Sequence, residues 1–144
     1  MTADPLSVTL SIPPRRELVA LARGVVVEVA RRHGIGAERV EDIRLIVSEA
    51  VTNAVQAYLR RGSGRPADLD RIDIRFDASA GRFEITVRDS YGGPEVPLEA
   101  PFAAPTSTSA TGGFGLPIMD SLSDELWVRE IDGGLEIRAV ILER

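Results

Sequence analysis

Ser48-Glu49-Ala50-Val51-Thr52-Asn53-Ala54-Val55-Gln56-Ala57-Tyr58 carries a carboxylate and a carboxamide four residues apart in a stretch of helical spacing. That spacing stacks both groups on one helix face. At 100° per residue, Ile43, Val47, Ala50 and Ala54 form one apolar stripe, and Asp42, Glu49, Asn53 and Gln56 form a polar stripe along its edge. The polar groups therefore stand near a core. A carboxylate can orient or deprotonate a hydroxyl, and an amide oxygen can hold Mg²⁺, so the pair suits phosphate chemistry. Taken alone, the same two residues also fit an ordinary solvated helix edge.

Outward from this stretch, the pattern alternates between helix and strand periods. The helix bearing the pair is expected from about Ala37 to about Arg60, where Gly62-Ser63-Gly64-Arg65-Pro66 breaks the chain. Before it, Leu18, Ala22, Val25 and Val29 mark a first helix that ends at His33-Gly34, and Val8, Leu10 and Ile12 mark a strand stopped by Pro13-Pro14. A histidine there suits a helix C-terminus and is given no catalytic role. After the break, Ile72, Ile74 and Phe76, then Phe83, Ile85 and Val87, alternate with charged residues and predict a hairpin turning near Ser79-Ala80-Gly81. Leu116, Ile118, Met119 and Leu122 predict a short helix, and two further strands around 126–131 and 135–142 meet at Asp132-Gly133-Gly134. Strands with one apolar and one charged face imply a sheet covered by helices on a single side. The expected fold is a single α+β domain over residues 1–144, a two-layer α/β sandwich with a mixed, mostly antiparallel sheet.

Composition narrows the function classes. At 144 residues and 44% hydrophobic, the chain suits one domain burying roughly two-thirds of its unfolded surface. A net charge of −5 argues against a surface built to bind nucleic acid or anionic lipid, and favours a protein partner or small ligand. All 17 basic residues are Arg, so a lysine-based phosphate clamp is excluded. With no Cys, neither disulfides nor thiolate metal sites form. The start, Met1-Thr2-Ala3-Asp4-Pro5, shows no basic and apolar leader, and no apolar run reaches the roughly 18 residues of a membrane span, which gives the expectation of a cytoplasmic protein.

Two more segments bear on the helix pair. In Val87-Arg88-Asp89-Ser90-Tyr91-Gly92-Gly93 a strand ends in a carboxylate, able to accept an amino hydrogen bond from adenine, followed by glycines that let backbone approach a flat base or a phosphate. A simple turn would use the same residue types. In Thr111-Gly112-Gly113-Phe114-Gly115-Leu116-Pro117 a glycine-rich loop leads into a helix, whose free N–H groups suit phosphate; a flexible hinge is the alternative. Between them lies a stretch with Pro94, Pro97, Pro101 and Pro105 and a Ser/Thr run, in which no regular element is expected. Long structureless loops are uncommon inside compact domains, and the 94–111 segment is read as a lid rather than a linker.

In this order, the segments resemble the GHKL (histidine kinase-like) ATPase superfamily, and most closely the bacterial anti-sigma factor serine/threonine kinases. The family's Glu-x-x-x-Asn helix is matched by Glu49 and Asn53, its Asp-x-Gly-x-Gly box by Asp89 to Gly93, and its Gly-x-Gly-Leu box by Gly113-Phe114-Gly115-Leu116. The resemblance implies a Bergerat-type ATP-binding fold and ATP with Mg²⁺ as cofactors. It further implies Glu49 as the catalytic residue, Asn53 as the Mg²⁺ ligand, and Asp89, Gly93, Gly113, Phe114 and Gly115 as nucleotide contacts. Its partners are a sigma factor and an anti-anti-sigma (STAS-type) protein whose serine or threonine is phosphorylated, and its members usually form homodimers. Carboxylates are weak bases toward a serine hydroxyl until late in the reaction, so orienting that hydroxyl is the contribution expected of Glu49.

The chain departs from the family at three places. Tyr91 replaces the first glycine of the Asp-x-Gly-x-Gly box, no Lys or Arg occurs from Pro94 to Val128, and Gly134-Leu135-Glu136 replaces a common Gly-Thr beside the adenine. Each weakens catalysis more than fold. The alternative function is a non-catalytic nucleotide-binding or partner-binding module of the same fold; retention of both Glu49 and Asn53 favours the kinase.

Overall fold

A computed structural model describes residues 4–61, 70–89, 100–101, 115–131 and 134–143. The elements run β1 (Leu6–Ile12), a 3₁₀ turn (Arg16–Leu18), α1 (Val19–Arg32), α2 (Ala37–Arg61), β2 (Ile72–Ser79), β3 (Arg82–Asp89), β4 (Ala100–Pro101), α3 (Gly115–Leu122), β5 (Glu125–Ile131) and β6 (Gly134–Leu142). The six strands form one sheet in the order β1-β2-β3-β6-β5-β4. Every pairing among the described residues is antiparallel, so the mixed component expected from the sequence does not occur there.

Alternation builds the sheet's two faces. Ile72, Ile74, Phe76 and Ala78 of β2 and Phe83, Ile85 and Val87 of β3 are all buried, and so are Ile137, Ala139 and Ile141 of β6. Phe76 and Phe83 stack with ring centroids 6.5 Å apart. α1 packs on β2, and α2 on β3 and β6, which makes the helices one layer over this face. The opposite face carries a ladder of charges, in which the largely buried Glu136 bridges the half-exposed Arg88 and Arg129, and Arg138 lies 5.5 Å over the Trp127 ring. The large apolar residues lie on the helix-covered face, which carries most of the core.

α1 and α2 form a hairpin closed by glycine. At the end of α1, Gly34 N–H donates to the Arg31 carbonyl (3.0 Å) and Ile35 N–H to the Ala30 carbonyl (3.1 Å), with Gly34 at φ 85°. This is the Schellman arrangement, which needs a left-handed residue at that position, and buried Ile35 completes it. Gly34→Ala is expected to cost about 1–2 kcal/mol, read as a lowered chemical denaturation midpoint with unchanged slope. His33 caps the helix, and its Nε2 also lies 3.3 Å from the Ser79 carbonyl oxygen, tying α1 to the β2–β3 turn.

β4 is the element the sequence did not announce. Ala100 and Pro101 pair with Val128 and Trp127 at the sheet edge, where a proline is tolerated because one side of an edge strand needs no donor. The rest of the 94–111 lid lies outside the described residues. No described helix is long and apolar enough to cross a membrane.

Candidate functional site

α2 is central to the helix layer, with α1 packed on one side and α3 on the other. Its 25 residues run about 37 Å. Ile43, Ile46, Val47, Ala50, Val51 and Ala54 are buried to 1% exposure or less, which fixes the helix's rotation. Glu49 and Asn53 are then held half-buried at the edge of the core. Ser48 and Thr52 occupy the α1 side, where Arg23 Nη1 donates to Ser48 Oγ at 3.3 Å.

Gly115, the first residue of α3, closes on the pair. A Cβ placed on Gly115 would stand 2.9 Å from Asn53 Nδ2, 3.1 Å from Asn53 Oδ1 and 3.1 Å from Glu49 Oε2. A Cβ there would make the ends of those side chains shift, so the backbone at the start of α3 lies close against both groups. Residues 49, 53 and 115, picked from two separate sequence segments, thus meet at one place. Gly115 is buried, and Pro117 sits in the first turn of α3, where its missing N–H costs no hydrogen bond.

Asp89 ends β3 opposite Leu135, and the strand alternation puts it on the same face as Val87 and Ile85, beneath the helix layer. It is 7% exposed, an acidic side chain buried among apolar neighbours at a strand end. Burial of a carboxylate requires a hydrogen-bonding or charged partner, and Asp89 has one. Gly93, Gly113 and Phe114, the other expected nucleotide contacts, lie outside the described residues, as does Tyr91.

The polar stripe read from the sequence divides in the structure. Glu49 and Asn53 meet α3. Gln56 is exposed and, with Arg16, Val19, Thr52 and Val55, lines a cavity of about 340 Å³ between α2 and the start of α1. Asp42 takes an ion pair from Arg39 at 3.1 Å. Arg23 is a neighbour of the site that the sequence reading missed: it comes from α1, 25 residues before Ser48, and only the helix pairing brings it next to Glu49's neighbour.

The donors present decide what the site can hold. Among the described residues there is no group of three or more His, Cys, Asp or Glu able to bind a metal. A divalent cation here would take the Asn53 amide oxygen as a single protein ligand and the rest of its shell from phosphates and water, a habit of Mg²⁺ rather than of a metal in an all-protein cage. Gly115 brings the backbone at the start of α3 up to that amide oxygen and to the Glu49 carboxylate. The residues fit a nucleotide-borne Mg²⁺.

Comparison with known proteins identifies the family of the chain. Residues 12–141 match the histidine kinase-like ATPase domain family. The chain is 34% identical to a serine-protein kinase RsbW of Bacillus pumilus over 88% of its own length and 80% of the relative's, and 32% identical to that of Bacillus subtilis over 88% and 79%. The serine-protein kinase RsbW of Oceanobacillus iheyensis is 32% identical over 83% and 76%. In structure, the chain superposes on the RsbU and RsbW domains of Rv1364c from Mycobacterium tuberculosis with a TM-score of 0.66 at 20% identity, spanning 98% of this chain and 32% of that one, a likeness of fold. With the family match running from the last residue of β1 into β6, the chain belongs to the histidine kinase-like ATPases, in their branch of serine-protein kinases.

Proposed function

We propose that the protein is an ATP-dependent anti-sigma regulatory kinase, which phosphorylates a serine or threonine of an anti-anti-sigma partner and sequesters a sigma factor. The observation that carries the ATP site is the convergence of Glu49, Asn53 and Gly115. Phosphoryl transfer depends on positioning and charge neutralisation more than on covalent help, so a site this sparse suffices. In this reading the N-terminal turn of α3 offers free backbone N–H groups and the positive end of its dipole to the phosphates. Gly115, lacking a Cβ, keeps that approach open. Asn53 Oδ1 is the Mg²⁺ ligand, and the bound ion would neutralise part of the phosphate charge. Glu49, beside them, accepts a hydrogen bond from the incoming hydroxyl and aims its oxygen at the terminal phosphorus. Buried Asp89 accepts from the adenine amino group.

The sigma and anti-anti-sigma partners and a homodimeric state are carried by the family resemblance alone, and a cytoplasmic location is part of the same proposal. The stretch from Pro94 to Val128 carries no Lys or Arg, so the terminal phosphate relies on Mg²⁺ and backbone donors; Arg23 reaches α2 at Ser48, next to Glu49.

Isothermal titration tests the nucleotide half of the proposal. ATP with Mg²⁺ is expected to bind, and chelation with EDTA to weaken it by about tenfold or more, equivalent to about 1.4 kcal/mol. Absence of binding by both ATP and ADP at millimolar concentration would sink the site. For the partner half, radiolabel from γ-labelled ATP is expected on a serine or threonine of a co-encoded anti-anti-sigma protein. A purified pair giving no label while ATP binds would leave a binding module without kinase activity.

A further inference from the structure

We propose that Arg39 is a positioning residue of this site, holding α3 from its far end so that Gly115 stays seated on Glu49 and Asn53. This rests on the nucleotide site proposed above and adds to it a residue that neither motif contains.

The geometry is antiparallel. α3 starts against Glu49 and Asn53, around the middle of α2, and ends near Arg39, at the second residue after α2's start. Arg39, Asp42, Glu49 and Asn53 fall on one stripe of α2, and that stripe is the one α3 covers. At the C-terminal end of α3, Arg39 Nη1 donates to the Leu122 carbonyl at 3.5 Å, where a helix has unpaired carbonyl oxygens and the negative end of its dipole. The same guanidinium bonds Asp42 on its own helix, Asp124 just past α3, and the Leu142 carbonyl at the end of β6. Asp124 is fixed in turn by the Leu142 N–H at 2.7 Å and by its own N–H donating to the Val140 carbonyl at 2.8 Å. Ser123 closes the last turn, its N–H and Oγ both reaching the Met119 carbonyl.

One side chain therefore joins α2, the exit of α3 and the end of the sheet. The planar fork of arginine can serve these acceptors together; a lysine ammonium cannot span them. An eight-residue helix is about 12 Å long and moves as a rigid piece. A slip at Leu122 is then passed along the helix to Gly115, beside Asn53 and Glu49. Arg39 is 29% and Asp124 11% exposed, so the pair is screened only in part.

The test compares the full chain with Arg39→Ala, Arg39→Lys and Asp124→Asn, and with Ile141→Val as a core variant of matched stability loss. Three readouts are taken: affinity for ATP with Mg²⁺, affinity for adenosine, and the Asn53 side-chain amide signal in nitrogen-15 NMR. Arg39→Ala is expected to weaken ATP by about tenfold, leave adenosine within about twofold, and move the Asn53 amide, since only the phosphate end faces α3. Arg39→Lys should recover part of the loss, and Ile141→Val should change none of the three. If Arg39→Ala binds ATP as the parent does and the Asn53 signal stays put, or if ATP and adenosine weaken alike, the positioning role is wrong while the nucleotide site stands. If the parent itself binds no ATP, the site proposal fails, and the Asn53 signal alone decides the role of Arg39. Should Arg39→Ala not fold, Arg39→Lys and Asp124→Asn decide by the same readouts.

Discussion

Glu49→Ala is expected to lower the rate of phosphate transfer by roughly 10²–10⁴-fold while ATP stays bound. The carboxylate is half-buried, carried on a helix whose rotation is locked by six buried apolar residues, and it stands beside the backbone of Gly115. Its loss removes the only described side chain at this place able to accept a hydrogen bond from an incoming hydroxyl as an anion. Nucleotide affinity should hold or rise, since a negative charge near the phosphates disappears. Stability should change little, because alanine is a good helix former at a half-exposed position. Glu49→Gln separates the two roles open to the carboxylate. If orientation dominates, the amide oxygen still accepts the hydroxyl and Gln retains a substantial part of the rate; if proton removal dominates, Gln falls as far as Ala. Single-turnover transfer to the partner, alongside ATP titration, gives both numbers. A Glu49→Ala protein with the parent's transfer rate would end the proposed role.

What the sequence disclosed and what it withheld divides along sequence distance. α2, the β2–β3 hairpin and the β5–β6 hairpin were legible because each is written in a local period, 3.6 or 2, with turn residues between. The predicted bounds of α2 fell within a residue of the observed Ala37–Arg61. β4 was not legible: Ala100-Pro101 sits in a proline-rich run and becomes a strand only through Trp127 and Val128, supplied by a distant segment. The site shows the same split. Glu49, Asn53 and Gly115 could be named from the family resemblance that their motifs carry, but what a side chain at residue 115 would meet could not, because the obstruction comes chiefly from a side chain 62 positions earlier. Asp42 looked like a fellow of Glu49 and Asn53, and is instead an ion-pair partner of Arg39. The role of Arg39 gave no signal, since beyond the local Asp42 its acceptors Leu122, Asp124 and Leu142 are 83, 85 and 103 residues away.

Gly115→Ala is expected to weaken binding of ATP with Mg²⁺ by about tenfold or more, and Gly115→Val to push it beyond detection, both through displacement of Asn53. The added Cβ would meet Asn53 Nδ2 at 2.9 Å, closer than real Cβ atoms come to anything, so either the side chains of Asn53 and Glu49 rotate away or the start of α3 lifts. Gly115 does not adopt a left-handed φ, so the substitution acts through this contact and not through backbone strain. Its helix propensity even improves. The two responses differ in stability. Rotation of Asn53 and Glu49 leaves the thermal midpoint near that of the parent, whereas lifting α3 off α2 costs about 1–3 kcal/mol. Either way the amide oxygen and the close backbone no longer coincide, and affinity falls. A double-mutant cycle isolates the cause. Asn53→Ala alone should also lose ATP affinity, but Gly115→Ala added to it should cost almost nothing further, because the atoms obstructing the new methyl are mostly gone. If Gly115→Ala is equally harmful with and without the Asn53 side chain, the glycine serves something other than room for Asn53, and the contact that unites the two motifs is not what makes the site.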